Sequence, residues 1–108
     1  MRAWRVEQPG PITSGPLVAA ERPDPLPGPT EVLVRVRVCG VCRTDLHLAE
    51  GDLAPRRPGV IPGHEVVGEV LRCGDRATRF SPGDRVGVAW LNGACGQCPY
   101  CKLDQEHL

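Results

Sequence analysis

The stretch "EVLVRVRVCGVCRTDLH", Glu31 to His47, decides how this chain is read. Its first half alternates. Val34, Val36 and Val38 fall on one side of an extended chain, Arg35 and Arg37 on the other. A period of two is the signature of a half-buried strand. The second half abandons that period. Cys39 and Cys42 form a Cys-x-x-Cys, and Thr44, Asp45 and His47 follow within five residues. Thr44 is the expected N-cap of a short helix running to about Glu50, with Gly51 just past its end.

Working outward, Arg2–Glu7 reads as a strand and Leu17–Arg22 as its partner. Pro23, Pro25, Pro27 and Pro29 force an extended connector between that pair and Glu31. On the other side, His64–Gly74 reads as a strand, kinked or bulged at Gly68. A turn at Pro82–Gly83 leads to a last strand from Arg85 to Leu91. Short strands broken by 13 glycines and 12 prolines point to a mainly β fold, a small barrel or sandwich with one short helix and a cysteine-rich loop. One domain spanning 1–108 accounts for the length.

Charge excludes several classes of partner. Lys+Arg and Asp+Glu both number 13, giving a formal net charge of zero. Nothing electrostatic favours nucleic acid or an anionic membrane surface. No apolar run has the length of a membrane span. "MRAWRVEQPG" lacks the apolar core of a secretory signal, so a cytoplasmic protein is expected.

Six cysteines in a short chain raise the question of disulfides. Five of them fall in two tight groups, Cys39/Cys42 and Cys95/Cys98/Cys101, which suits metal or redox chemistry better. Cys42 follows the strongest strand, and His64 stands 22 residues on at the mouth of another. Thiolate and imidazole are the ligands zinc prefers, and a catalytic zinc keeps one position open. Glu65 offers a carboxylate beside the imidazole. Asp45 is suited to fix the tautomer of a zinc-bound His. Thr44 and His47 supply a hydroxyl and an imidazole able to carry a proton. Each of these residues alone is commonplace; their joint pattern is not.

That pattern resembles the zinc-dependent medium-chain alcohol dehydrogenases. "CGVCRTDLH", "PGHEVVGEV", "GDRVGV" and "CGQCPYC" occur here in the family's order. The resemblance implies a GroES-like catalytic domain, of which 1–108 is the N-terminal part, without the Rossmann domain. It implies Cys42 and His64 as catalytic-zinc ligands, with Glu65 as a carboxylate that also approaches the metal. Thr44 takes the alcohol proton, His47 continues the relay beside the cofactor ribose, and Asp45 orients the zinc-bound His. Cys39 and Cys73 are left as buried structural thiols. Zinc and NAD or NADP are the implied cofactors. An alcohol or aldehyde is the implied substrate, and a homo-oligomer the implied assembly of the full-length enzyme.

The same resemblance makes Cys95, Cys98 and Cys101 three ligands of a structural zinc. The family's fourth cysteine would fall one position beyond Leu108. His107 is the nearest substitute, though a frayed tail residue is the simpler expectation, and Glu106 or the terminal carboxylate are poorer choices. Asp104 stands where the family usually has Gly. With no Gly-x-Gly-x-x-Gly turn in the sequence, the 108 residues alone are expected to be inactive, as a truncated product or an excised fragment. Two other readings compete. One is a non-enzymatic Cys₄ zinc module built from Cys39, Cys42, Cys95 and Cys98. The other is a thioredoxin-like dithiol, which needs a βαβ unit that the sequence does not offer.

Overall fold

The computed structural model describes residues 1–55, 57–91 and 93–107. Among the described residues, five strands and two short α-helices follow in the order β1 (Arg2–Val6), β2 (Leu17–Glu21), β3 (Val32–Cys39), α1 (Arg43–Glu50), β4 (Val66–Cys73), β5 (Arg85–Val88) and α2 (Pro99–Lys102), with a 3-10 turn at Ile12–Ser14 between β1 and β2. The architecture is the mainly β one expected, with its helix and its cysteine-rich loop. The strands are shared between two antiparallel sheets, β1–β2 and β3–β4–β5.

The β1–β2 ribbon runs in unbroken register from Arg2↔Glu21 to Val6↔Leu17. It is tied to the rest through Val6, whose N–H donates to the Val60 carbonyl at 2.9 Å. Val6, Ala49 and Val70 are the fully buried apolar residues among those described. The radius of gyration is 15.6 Å, against about 13 Å for a compact chain of this length, so the core is thin and the body elongated.

Two register shifts bend β3 against β4. One lies at Leu33/Val34, the other between Val36 and Val38. Across the second, Val36 faces Gly68 while Val38 faces Val67. Adjacent residues of β4 point to opposite faces, so Val36 and Val38 cannot share one. The expected single row of Val34, Val36 and Val38 is therefore broken at Arg37. The displaced Arg37 guanidinium instead meets Glu69 at 2.7 Å and holds that carboxyl below its usual range.

The remaining differences have local causes. α1 begins at Arg43, so its N-cap is Cys42 and not Thr44. Asp45 makes this possible: its carboxylate reaches back to accept the Cys42 N–H at 2.9 Å. β5 stops at Val88, three residues before the expected Leu91, because its last partner Val66 is the first residue of β4. Cys39 is exposed, not buried. It ends β3 where the chain turns away at Gly40, and its thiol donates to the Gly40 carbonyl at 3.5 Å. Cys73 is half-buried and donates to the Phe80 carbonyl at 3.3 Å.

Candidate metal centre

The centre forms where β3 hands over to α1 and the loop before β4 comes alongside. Gly40 N–H donates to the Glu65 carbonyl at 2.9 Å, continuing the β3–β4 ladder one step past Cys39. That step sets Glu65 and His64 beside the Cys39–Cys42 turn. Gly63 has φ +125°, a conformation L side chains rarely adopt, and a Cβ there would come within 2.9 Å of Cys39 Sγ. Glycine before His64 lets the loop pass close to the end of β3.

One ligand atom from each of Cys42, His64 and Glu65 lies within 4.8 Å of the other two. Cys42 and His64 are half-buried, and Glu65 is exposed. Asp45 is 9% exposed, the one buried charged residue among those described. Its Oδ1 lies 3.3 Å from His64 Nδ1, near enough to attract but not aligned as a hydrogen bond, and it has no hydrogen-bond partner among the described residues. With Nδ1 facing Asp45, Nε2 is the nitrogen left for a metal. Thr44 Oγ1 stands 3.8 Å from Cys42 Sγ.

The electrostatics of the pair agree with its geometry. The Thr44 backbone N–H and hydroxyl, and then His64, pull the Cys42 thiol below its ordinary value. The hydrogen bond with Cys42 raises the His64 imidazole, and the Asp45 charge adds to that. A thiol made acidic beside an imidazole made basic is a ready thiolate donor. A soft sulfur, an imidazole and a carboxylate, backed by an orphaned buried carboxylate oxygen, fit a zinc ion.

His47 does not join this cluster. It points to Asp52, with Nδ1 2.8 Å from Asp52 Oδ2. Asp52 is the residue that sequence reading passes over. Its only signal is its place immediately after Gly51, at the end of α1.

A second cluster lies in the cysteine-rich loop. The sulfurs of Cys95, Cys98 and Cys101 also lie within 4.8 Å of one another, at 3.8 Å for Cys95–Cys101 and 3.5 Å for Cys98–Cys101. Backbone N–H groups of Gln97 and Cys98 point at Cys95 Sγ at 3.5 and 3.3 Å, and the Cys101 N–H points at Cys98 Sγ. These donors stabilise sulfur anions before any cation arrives. No fourth donor joins the three among the described residues; Glu106 and His107 are exposed, and Leu108 lies outside those described. Asp104 adopts φ 56°, the left-handed conformation a glycine would take more easily. The two clusters are separate, so the Cys₄ module of Cys39, Cys42, Cys95 and Cys98 does not form.

The loop predicts a pH-dependent reactivity. The Gln97 and Cys98 N–H groups lower the Cys95 thiol to about 7, while its hydrogen bond with Cys98 raises Cys101. In metal-free protein, alkylation of Cys95 by iodoacetamide is expected to rise through about pH 7 and that of Cys101 at higher pH. Peptide mass spectrometry against pH reads this out. Equal profiles for the two thiols would refute it.

The match to known proteins agrees with this geometry. Residues 28–108 match the alcohol dehydrogenase GroES-like domain family. The chain belongs to the zinc-dependent alcohol dehydrogenase family. An alcohol dehydrogenase of Geobacillus stearothermophilus is 50% identical over 110 residues, a match covering 100% of this chain and 31% of that protein. The cobalt- and zinc-bound thermostable alcohol dehydrogenase of Pyrobaculum aerophilum superposes with a TM-score of 0.87 at 34% identity, covering 100% of this chain and 32% of that one. The enzyme CAD of Helicobacter pylori, solved in complex with NADP(H), gives 0.78 at 26% identity, covering 100% and 31%. The chain thus spans about a third of the length of the curated relatives it matches. Among the described residues no helix is long and apolar enough to cross a membrane.

Proposed function

We propose that residues 1–108 are the N-terminal, zinc-bearing part of the GroES-like catalytic domain of a cytoplasmic, homo-oligomeric alcohol dehydrogenase. The reaction is oxidation of a primary or secondary alcohol with NAD or NADP. The observation that carries this reading is the convergence of Cys42, His64 and Glu65 on one point within 4.8 Å. Cys95, Cys98 and Cys101, also within 4.8 Å of one another, would hold a second, structural zinc.

Bound at the first site, zinc supplies the charge that lets an alcohol hydroxyl ionise near neutral pH, and a nicotinamide supplies the hydride acceptor. The chain's own residues do the rest. Cys42 and His64 would hold the ion through sulfur and imidazole nitrogen, with Glu65 as a further oxygen donor. Asp45 keeps the His64 ring oriented. Thr44 Oγ1, 3.8 Å from the Cys42 sulfur, takes the proton of the hydroxyl. His47 would pass that proton outward. The 108 residues by themselves give no turnover on this reading, because the dinucleotide-binding Gly-x-Gly-x-x-Gly turn is not among them.

Cobalt tests the site directly. Titration of the protein with Co²⁺ is expected to give thiolate-to-cobalt absorption from both cysteine clusters. His64→Ala is expected to remove or shift the bands of the Cys42 site and leave those of Cys95, Cys98 and Cys101 unchanged. A spectrum unaltered by His64→Ala would overturn the assignment.

A further inference from the structure

We propose that Arg5 and Arg22 converge over Gly59 to form a binding site for a phosphate-type oxyanion. The site belongs to the β1–β2 ribbon and the loop beside it, and it uses none of the metal-centre residues.

The ribbon sets both arginines on one face. Residues directly opposite in such a ribbon share a face, and the face alternates along each strand. The register Arg5↔Val18 and Ala3↔Ala20 therefore puts these four residues together. The Arg22 N–H donates to the Met1 carbonyl at 2.9 Å, which extends the ladder one step and adds Arg22 to that face. Arg5 and Arg22 thus start about 13 Å apart along the ribbon, with the small side chains of Ala3 and Ala20 between them. The loop carrying Gly59 is tied to the same ribbon by the 2.9 Å bond from the Val6 N–H to the Val60 carbonyl. Both long side chains then turn inward. A Cβ on Gly59 would lie 3.3 Å from Arg22 Nη2 and 3.9 Å from Arg5 Nη1. Two guanidinium ends meet at one place, and glycine, at φ +65°, leaves that place open.

Like charges repel, and flexible side chains that start far apart are free to swing away into water. The neighbouring carboxylates do not account for the convergence. Glu7 pairs with Arg5 through Nη2, which leaves Nη1 toward Gly59. Glu21 faces the other side of the ribbon, and Asp24 is held by the Met1 ammonium at 2.9 Å. Among the described residues Arg22 forms no ion pair. Arg57, exposed and two residues before Gly59, adds a further positive charge to the loop. An anion seated between the guanidiniums supplies the missing attraction, through the charge-assisted bonds that guanidinium forks make best. A planar carboxylate is matched by a single fork. A tetrahedral dianion balances two positive charges and offers oxygens to both, so phosphate is the chemistry that fits. Arg22 is exposed, so the phosphate of an ester can enter as the free ion does, with its organic group left in solvent.

The test titrates inorganic phosphate and phenyl phosphate separately into ¹⁵N-labelled protein at about pH 7.5, where phosphate is mostly the dianion, against chloride at equal ionic strength. Saturable shifts of the Gly59 and Val60 amide resonances are expected. Saturation by inorganic phosphate means that the free ion suffices; saturation by phenyl phosphate alone means that an ester is required. Arg5→Gln and Arg22→Gln are each expected to weaken binding about tenfold or more. Arg72→Gln, on β4 of the other sheet, is expected to leave it unchanged. The rest of each amide spectrum reports that the variant folds; if Arg5→Gln does not, the exposed Arg22 carries the test. No saturation with either probe would overturn the proposal, as would shifts confined to other residues or full affinity in Arg22→Gln. Equal weakening by Arg72→Gln would also overturn it, as the mark of unspecific charge attraction.

Discussion

Gly68→Ala is expected to destabilise the protein by about 2–4 kcal/mol, enough to leave a chain with so thin a core largely unfolded. Gly68 sits opposite Val36, beside the register shift that bends β3. A Cβ at position 68 would overlap Val34 Cγ1 and the Arg35 carbonyl oxygen. A side chain can rotate away, but a backbone carbonyl held in a ladder cannot, so the sheet must open. The loss would reach the metal centre, because the same ladder carries Gly40 and Glu65 into position. Urea unfolding followed by circular dichroism measures it. A midpoint within error of the parent would show that β3 shifts freely, and with it the description of the bulge would fall.

Asp45→Ala is expected to weaken Co²⁺ or Zn²⁺ binding at the Cys42–His64 site by 10–100-fold, the usual consequence of removing a carboxylate behind a metal-bound histidine. Folding should suffer as well. The Cys42 N–H, now satisfied at 2.9 Å by Asp45 Oδ2, would lose its partner at the start of α1, costing about 1–3 kcal/mol. Asp45→Asn separates the two roles. Its amide oxygen can keep the cap, while the charge that favours the Nε2-ligating form of His64 is gone. Competition titration with a chromophoric chelator gives the affinities, and thermal unfolding gives the stability. Equal affinities for Asp45→Ala and the parent would mean that Asp45 serves the helix alone.

Much of this was legible in advance because local pattern and tertiary outcome agree. The strands expected at Arg2–Glu7 and Leu17–Arg22 form and pair, over Arg2–Val6 and Leu17–Glu21. Cys42, His64 and Glu65 meet, as a strand end and a strand mouth should when the strands are neighbours. The misses share a cause: each depends on a partner distant in sequence. Val38 leaves the face of Val36 because β4 offers two residues where β3 needs three. β5 ends where β4 begins. The helix cap moved from Thr44 to Cys42 because a carboxylate three residues on reached back, a reciprocal bond that residue preference at the cap does not encode. Asp52 escaped notice for a similar reason. Only the left-handed Gly51 makes the residue after a helix the neighbour of one inside it.

The eight residues of α1 carry Thr44, Asp45 and His47 on one rod. Successive residues on such a rod are offset by about 100°. A substitution there changes one side chain in place, but an insertion or deletion of a single residue between Asp45 and His47 would swing one carboxylate–imidazole couple out of phase with the other. The spacing within this segment is thus a gauge that point mutation can decorate and length change would wreck.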